Sequence, residues 1–361
     1  MCKVYNPVGP LTTIKFHLHR HDIYDFNSLN EVINFQKNYS VLQQQIITHH
    51  ERLIEQERND LELEVSQLED FILTEKNNIE NRIQIETEQI NQRLNDLLSS
   101  SANNFTQRII HHLKEWWYYF KIRLKVFSVK FLIAYSIRNL VKEHKKKHHR
   151  YQYIIEHFTD AVNESCSVPL KELERKKGVI DEINSSIYGA LGEQKVVREL
   201  EKLSDEYFLI NDFSLSFQKA IYHRKEDEYI QSIQIDHILV APSGIFLIET
   251  KNWSEESLNN PDFYSPVKQI RRNGFAFYKM ISGETEYSKL RLGNHLWGNR
   301  KIPVRNVVVF TSSKPKDEFQ FVKTLTINQL LGYIKYFEPV FSTEETQKIA
   351  DYLLHLLPSR L

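Results

Sequence analysis

The stretch Ile233-Gln234-Ile235-Asp236-His237-Ile238-Leu239-Val240 turns through Ala241-Pro242-Ser243-Gly244 and returns as Ile245-Phe246-Leu247-Ile248-Glu249-Thr250-Lys251. Both runs have the β-branched and aromatic content of strands, interrupted by a few polar and charged residues. Burying an unpaired carboxylate is costly, so an acid inside such a run needs a metal, a cation or a function. If Ala241 and Gly244 flank a two-residue turn, Asp236 lies opposite Glu249 and Gln234 opposite Lys251. The period-2 alternation then puts all four on one face. Two carboxylates and an ammonium gathered there could hold a divalent metal and place a water beside it. A type I turn with a glycine bulge would slip the pairing by one residue and separate Asp236 from the other two charges.

Around this hairpin the pattern is α/β. Tyr188-Gly189-Ala190-Leu191-Gly192-Glu193 opens a helix expected to run to about residue 203, with Leu191, Val196, Val197 and Leu200 inward. Residues 207–211 read as a strand, and Asp212 suits the turn after it. Residues 213–232 form a polar insertion, an exposed loop or a hairpin. A loop at 261–266 precedes a helix at 267–281, a buried strand at 304–310, and helices at 327–336 and 343–356.

The string Gly192-Glu193, then Gln234-Ile235-Asp236-His237, then Gly244-Ile245-Phe246 running into Glu249-Thr250-Lys251-Asn252 resembles the nuclease-related domain (NERD) of the PD-(D/E)XK nuclease superfamily over residues 186–315. The resemblance implies a restriction-endonuclease-like α/β fold with a mixed sheet and a metal-dependent phosphodiesterase acting on nucleic acid, DNA foremost. Mg²⁺ is the expected ion, with Mn²⁺ as a substitute. Carried residue by residue, it makes Asp236 and Glu249 metal ligands, with the Thr250 carbonyl and the helix acid Glu193 completing the shell. Lys251 would orient or activate the water and offset transition-state charge. Gln269 would touch substrate or the Lys251 site, and Arg271 and Arg272 would meet phosphate. Each has a plainer account. Asp236 and Glu249 could be a structural ion pair with Lys251, Glu193 a solvated first-turn acid, and Gln269 with the arginines an exposed helix face. His237 points to the other face and reads as a core histidine.

Net charge is zero, but residues 51–100 hold 13 acids and 5 bases while residues 111–150 hold 11 bases and 2 acids. From Leu11 to Val168 there is neither glycine nor proline, which points to long helices. Leu61, Val65, Leu68, Ile72, Ile79, Ile83, Ile90, Leu94 and Leu97 recur mostly three or four apart, with Glu75 and Glu86 as polar interruptions. Ser99 to Asn104 breaks this seam. The basic segment beyond it has a stripe of Ile122, Val126, Val129, Ile133, Ile137 and Leu140. Charge complementarity favours an antiparallel hairpin of the acidic and basic arms; the other arrangement is an extended intermolecular coiled coil.

The aromatic stretch 116–137 contains Lys121, Arg123, Lys125 and Lys130, and its charge-free runs fall far short of the ~20 residues of a membrane span. Protein packing is the expected role of its stripe, with an interfacial helix as the other reading. Residues 142–150 are basic and suit either phosphates or a solvated helix end. Cys2 and Cys166 give no disulfide framework, the N-terminus lacks an apolar signal core, and a cytoplasmic setting is expected. The paired histidines 49–50, 111–112 and 148–149 lack a second ligand set.

The expected organisation is a helical arm over 1–185 and a nuclease-like domain over 186–361. The arm would mediate homo-oligomerisation or bind a partner protein, and membrane association is not expected. The resemblance implies a role in bacterial DNA processing or defence. The competing function is a catalytically silent nucleic-acid-binding scaffold.

Overall fold

The computed structural model describes residues 1–100, 105–253, 264–287, 290, 292, 301–315 and 317–357. The chain divides into two compact units, Met1–Lys37 with Arg175–Leu361, and Asn38–Glu174. This division differs from the boundary expected near residue 185. Residues 1–37 group with the α/β part because a strand and a helix there add to its layers.

The elements are β1 (Lys3–Tyr5), α1 (Gly9–Arg20), α2 (Leu29–Ser99), α3 (Phe105–Ser136), α4 (Arg138–Glu156), α5 (Phe158–Glu182), α6 (Asn184–Leu200), β2 (Phe208–His223), β3 (Glu228–Ala241), β4 (Gly244–Lys251), α7 (Tyr264–Ile281), β5 (Val304–Phe310), β6 (Val322–Thr326), α8 (Ile327–Lys335) and α9 (Thr343–Leu356). Pro169 and Gly178 lie inside α5 and do not end it. Residues 213–232 belong to a long β2–β3 hairpin, with a register shift between Ser216 and Ile221. Residues 264–266, expected in a loop, open α7; the rest of that expected loop, 261–263, lies outside the described residues, as do 101–104 of the expected helix break.

The strands form one mixed sheet in the order β1-β2-β3-β4-β5-β6. β1 pairs parallel with β2, the β2–β3 and β3–β4 pairs are antiparallel, and β4–β5 and β5–β6 are parallel. The central strands read as nearly continuous apolar runs because helices cover both faces. Ile238, Val240, Ile245 and Leu247 pack towards α7 and α9 with Ile270, Phe277, Met280 and Ile349. Leu239, Phe246, Ile248 and Val309 pack on the opposite face with Val196 and Leu200 of α6 and Leu330 and Ile334 of α8. Helix α1 joins α6 through a separate cluster of Ile14, Leu18, Ile183, Ile187 and Ala190.

In the helical unit, ion pairs join the acidic part of α2 to α3 and α4. Glu86 meets Lys125, and Glu69 lies 2.9 Å from His144, Glu64 3.3 Å from Lys147 and Glu57 2.9 Å from Arg150. Partner numbers rise as the α2 numbers fall, so the pairing is the antiparallel hairpin. These pairs are largely exposed and each contributes little; register comes from apolar contacts of Ile79 and Ile83 with Ile133, and of Ile54 and Leu61 with Ile154 and Val162. Every apolar position of the α2 seam is buried or half-buried. The α3 stripe departs from expectation at Val126, which is 60% exposed. A second stripe on α3 finds no cover within the described residues: Ile109, Leu113, Trp116, Phe120, Leu124, Phe127, Phe131 and Tyr135, each three or four residues after the last, are all exposed.

Two helical glycines make a matched test. A Cβ on Gly274 of α7 would lie 2.2 Å from Asn306 Oδ1 on β5, whereas one on Gly178 of α5 would meet nothing within 4 Å. Gly274→Ala should lower stability by about 1–3 kcal/mol through overpacking. Gly178→Ala should raise it by roughly 0.5–1 kcal/mol through helix propensity. Chemical denaturation of the three proteins measures both.

Candidate active site

The β3–β4 turn is the two-residue kind. The ladder runs from Ala241↔Gly244 to His237↔Ile248, and Gly244 takes φ +132°, which a side chain would strain. One step further, where Asp236 would face Glu249, the ladder has ended, and Asp236 Oδ2 instead accepts a hydrogen bond from the Thr250 N–H at 2.7 Å. That bond ties the end of β3 to β4, and alternation from Ile238 and Leu247 puts both carboxylates on the face of the sheet that α7 covers. Helix α6 reaches the strand end because residue 192 is glycine; a Cβ there would sit 2.9 Å from Asn252 Cβ. Glu193 lies in mid-helix and is 7% exposed, so it is neither a first-turn acid nor solvated.

These residues line a cavity of about 470 Å³ together with Gln234, Asp212, Gln269 and Lys251. Lys251 Nζ donates to Glu249 Oε1 at 2.8 Å, and the Gln269 side chain also hydrogen-bonds this carboxylate. Glu249 Oε2 is buried without a hydrogen-bond partner among the described residues.

The cavity is short of positive charge. Burial first, then the charges of Asp236, Asp212 and Glu249, push the Glu193 carboxyl up to about 9. Burial and Asp236 push Glu249 up to about 7. Asp236 is raised by burial, against the pull of the Thr250 N–H and Lys251. Burial alone would lower Lys251, but Glu249 and its neighbouring acids outweigh it and hold the ammonium above its ordinary value. A donor set of hard carboxylate oxygens, with one oxygen lacking a partner and a surplus of negative charge, fits a divalent cation such as Mg²⁺ or Mn²⁺. The acids stand further apart than a closed cage: among the described residues, the group whose three ligand atoms all lie within 4.8 Å of one another is His17, His21 and Glu182, outside this cavity.

Sequence reasoning missed part of the wall. Asp212 sits inside β2 with φ +48°, a conformation aspartate tolerates better than most residues, and accepts from Gln234 Nε2 at 3.2 Å. It is a strand residue, not the start of a turn. Gly9, Pro10, Thr12 and Thr13 at the N-terminus of α1, and Ser186 of α6, complete the lining. No local signal ties residues 9–13 to a hairpin more than two hundred residues away.

Arg271 and Arg272 are absent from this lining. On a helix, two and three residues beyond Gln269 lie about 200° and 300° around the axis. Arg271 is 3.5 Å from Glu226, and Arg272 donates to Glu228 at 2.6 Å and to the Ser232 carbonyl. His237 is fully buried, with Nδ1 2.7 Å from Asn211 Oδ1, and burial drives its pKa down to about 3. It is a neutral core histidine.

Residues 188–311, about a third of the chain, match the family model of the nuclease-related domain. Searches of curated proteins and of solved structures each returned no match. The match spans α6, the β2–β3–β4 meander, α7 and β5, and it points to nuclease-like chemistry.

The buried charges set opposing pH trends. A carboxyl lifted from 4.5 to about 9 binds more protons folded than unfolded, so its stabilisation is complete below pH 4.5 and is lost as pH rises towards 9. A histidine lowered from 6.5 to about 3 keeps its contribution above pH 6.5, and stability is lost as pH falls below that. Glu193→Gln, which imitates the protonated acid, should raise the Tm of the metal-free protein at pH 8 by about 2–4 °C, roughly 1 kcal/mol. It should leave the Tm at pH 4.5 nearly unchanged. Scanning calorimetry at the two pH values checks the sign.

Proposed function

We propose that this protein is a divalent-metal-dependent nuclease that hydrolyses phosphodiester bonds in DNA. The observation that carries this reading is the gathering of Asp236, Glu249, Glu193 and Asp212 around one ammonium among the described residues, Lys251, in one cavity. Phosphodiester hydrolysis needs an in-line water, charge relief on the phosphoryl oxygens and a stabilised leaving oxygen. Asp236, Glu249 and Glu193, with the Thr250 carbonyl, would hold Mg²⁺ or Mn²⁺, which supplies Lewis-acid charge relief on those oxygens.

The chain's own residues do the positioning. Asp236, fastened to the Thr250 N–H, keeps its carboxylate fixed in the cavity. Lys251, held at Glu249, offers N–H donors to a water or to the developing negative charge. Gln269 contributes an amide from α7 and restrains Glu249. The two buried free thiols, Cys2 and Cys166, suit a reducing compartment, and we assign the protein to the cytoplasm. DNA processing or defence against foreign DNA is the setting this activity suits.

We assign to the helical unit a role in self-association or in binding a partner protein. The exposed apolar stripe of α3 favours this, since a run of eight large apolar residues on one helix face exceeds the scattered exposure normal for a monomer. Replacing Phe127 and Phe131, which are 86% and 73% exposed, by serine should shift the sedimentation coefficient of an oligomer towards the monomer and leave helix content unchanged. A wild type that already sediments as a monomer, with the same coefficient as the variant, would overturn the self-association role.

The deciding assay is cleavage of linear, circular and single-stranded DNA, and of RNA, with Mg²⁺, Mn²⁺ or EDTA. Wild type should cleave DNA in either metal and not in EDTA. Lys251→Ala and Asp236→Asn should each lose about 10²-fold or more in rate. Mg²⁺ should raise the Tm of wild type at pH 8 but not of Asp236→Asn. Nucleic acid binding without cleavage by a folded wild type would favour the scaffold reading.

A further inference from the structure

A second cavity, larger than the acidic one at about 940 Å³, lies at the other end of β4. Its wall includes Val304, Arg305 and Asn306, which pair with Ile245, Phe246 and Leu247 at the start of that strand, whereas Glu249 and Lys251 end it. Six cations line it: Arg224, Lys225, Arg271, Lys279, Arg305 and Lys323. The one acid among the described lining residues, Glu226, is 3.5 Å from Arg271. Lys279 pairs with Glu284 and Arg305 donates to the Ser243 carbonyl, which leaves the exposed Arg224, Lys225 and Lys323 as like charges that an anion would answer.

His223 is 6% exposed, and its ring packs edge-on against Phe275 with centroids 4.1 Å apart. The rim adds an aromatic face. Phe321 has φ +66°, which a bulky residue rarely adopts, and is 67% exposed. Asn306 Nδ2 holds its carbonyl at 3.2 Å, and Lys225 Nζ lies 6.0 Å from its ring centroid. Backbone strain that presents an apolar ring to solvent needs a compensating role.

We infer that this cavity binds a nucleoside phosphate, with the cations on the phosphates and the Phe321 ring stacked on the base. Guanidinium groups recognise phosphate through paired donors, and aromatic side chains stack on any base. The volume suits one or two nucleotides. A free nucleotide and a segment of a nucleic acid strand share this chemistry. Helix α7 borders both cavities, Gln269 facing the acids and Arg271, Phe275 and Lys279 the cations, so the two sites lie against different faces of one helix. The inference does not rest on the nuclease reading.

The full-length chain, without metal, is titrated calorimetrically with ATP, AMP, inorganic triphosphate and a five-nucleotide single-stranded DNA. ATP or the DNA should bind with one-to-one stoichiometry, and inorganic triphosphate roughly tenfold more weakly for want of a ring. Arg224 and Lys323 are exposed, so the double variant Arg224→Ala/Lys323→Ala should fold and should lose about tenfold or more in affinity. Phe321→Asn keeps a residue that tolerates positive φ, removes the ring and should weaken ATP or DNA but not triphosphate. Lys251→Ala, outside this cavity, should bind ATP as wild type does. Binding of ATP and AMP identifies a free nucleotide as the source; binding of the DNA alone identifies a strand. The inference is overturned if none of the four probes binds, if triphosphate binds as tightly as ATP and the DNA, if affinity survives both cavity variants, or if ATP binding disappears in Lys251→Ala.

Discussion

The α/β unit is organised around a cost. Among the described residues, four acids and one ammonium share a cavity in which Glu249 is 1% exposed, and Glu193, Glu249 and Asp236 answer by holding protons to higher pH than usual. A hydrophobic core would be cheaper at this position. The surrounding structure can carry the cost because β3, β4 and β5 are buried on both faces and fix the strand ends rigidly. The Asp236–Thr250 bond replaces the next rung of the ladder, so the sheet opens into the site at the place where its apolar run stops.

The sheet and the helix packing both serve this opening. Gly192 brings α6 and its mid-helix acid against the end of β4, and Gly274 lets α7 close on β5 while Gln269 reaches Glu249. A side chain at either glycine would push a helix away from the sheet. The cluster therefore tolerates its unfavourable electrostatics through close apolar packing elsewhere.

Much of this was legible in the sequence because it is local. The two-residue turn set the register of the hairpin, and alternation placed Asp236, Glu249 and Lys251 on one side. The α2 seam and the opposite charges of the two arms foretold the antiparallel hairpin. What could not be read depends on distant contacts. The three-residue strand β1 carries too little pattern to be recognised, and only its pairing with β2 defines it. Asp212 looks like a turn residue because its backbone is turn-like, although it lies inside a strand. Arg271 and Arg272 share a helix with Gln269, and the direction each faces follows from where that helix docks. The exposed stripe of α3 is indistinguishable from a core stripe until the packing of α2 shows which side is already covered.

The discontinuity of the α/β unit bears on how the chain is made. Residues 1–37 belong to it, yet the remainder begins at Arg175, after the whole helical unit has been synthesised. β1 cannot pair until β2 leaves the ribosome, on the order of tens of seconds later at ordinary rates of translation. During that interval the helical hairpin, whose contacts lie within its own segment, can fold first and hold the two separated pieces on a shorter tether. Closing a long flexible loop costs entropy that grows with its length, so a prefolded hairpin lowers the barrier to assembling the sheet. Unfolding the helical unit should therefore slow the maturation of a domain whose residues it never supplies.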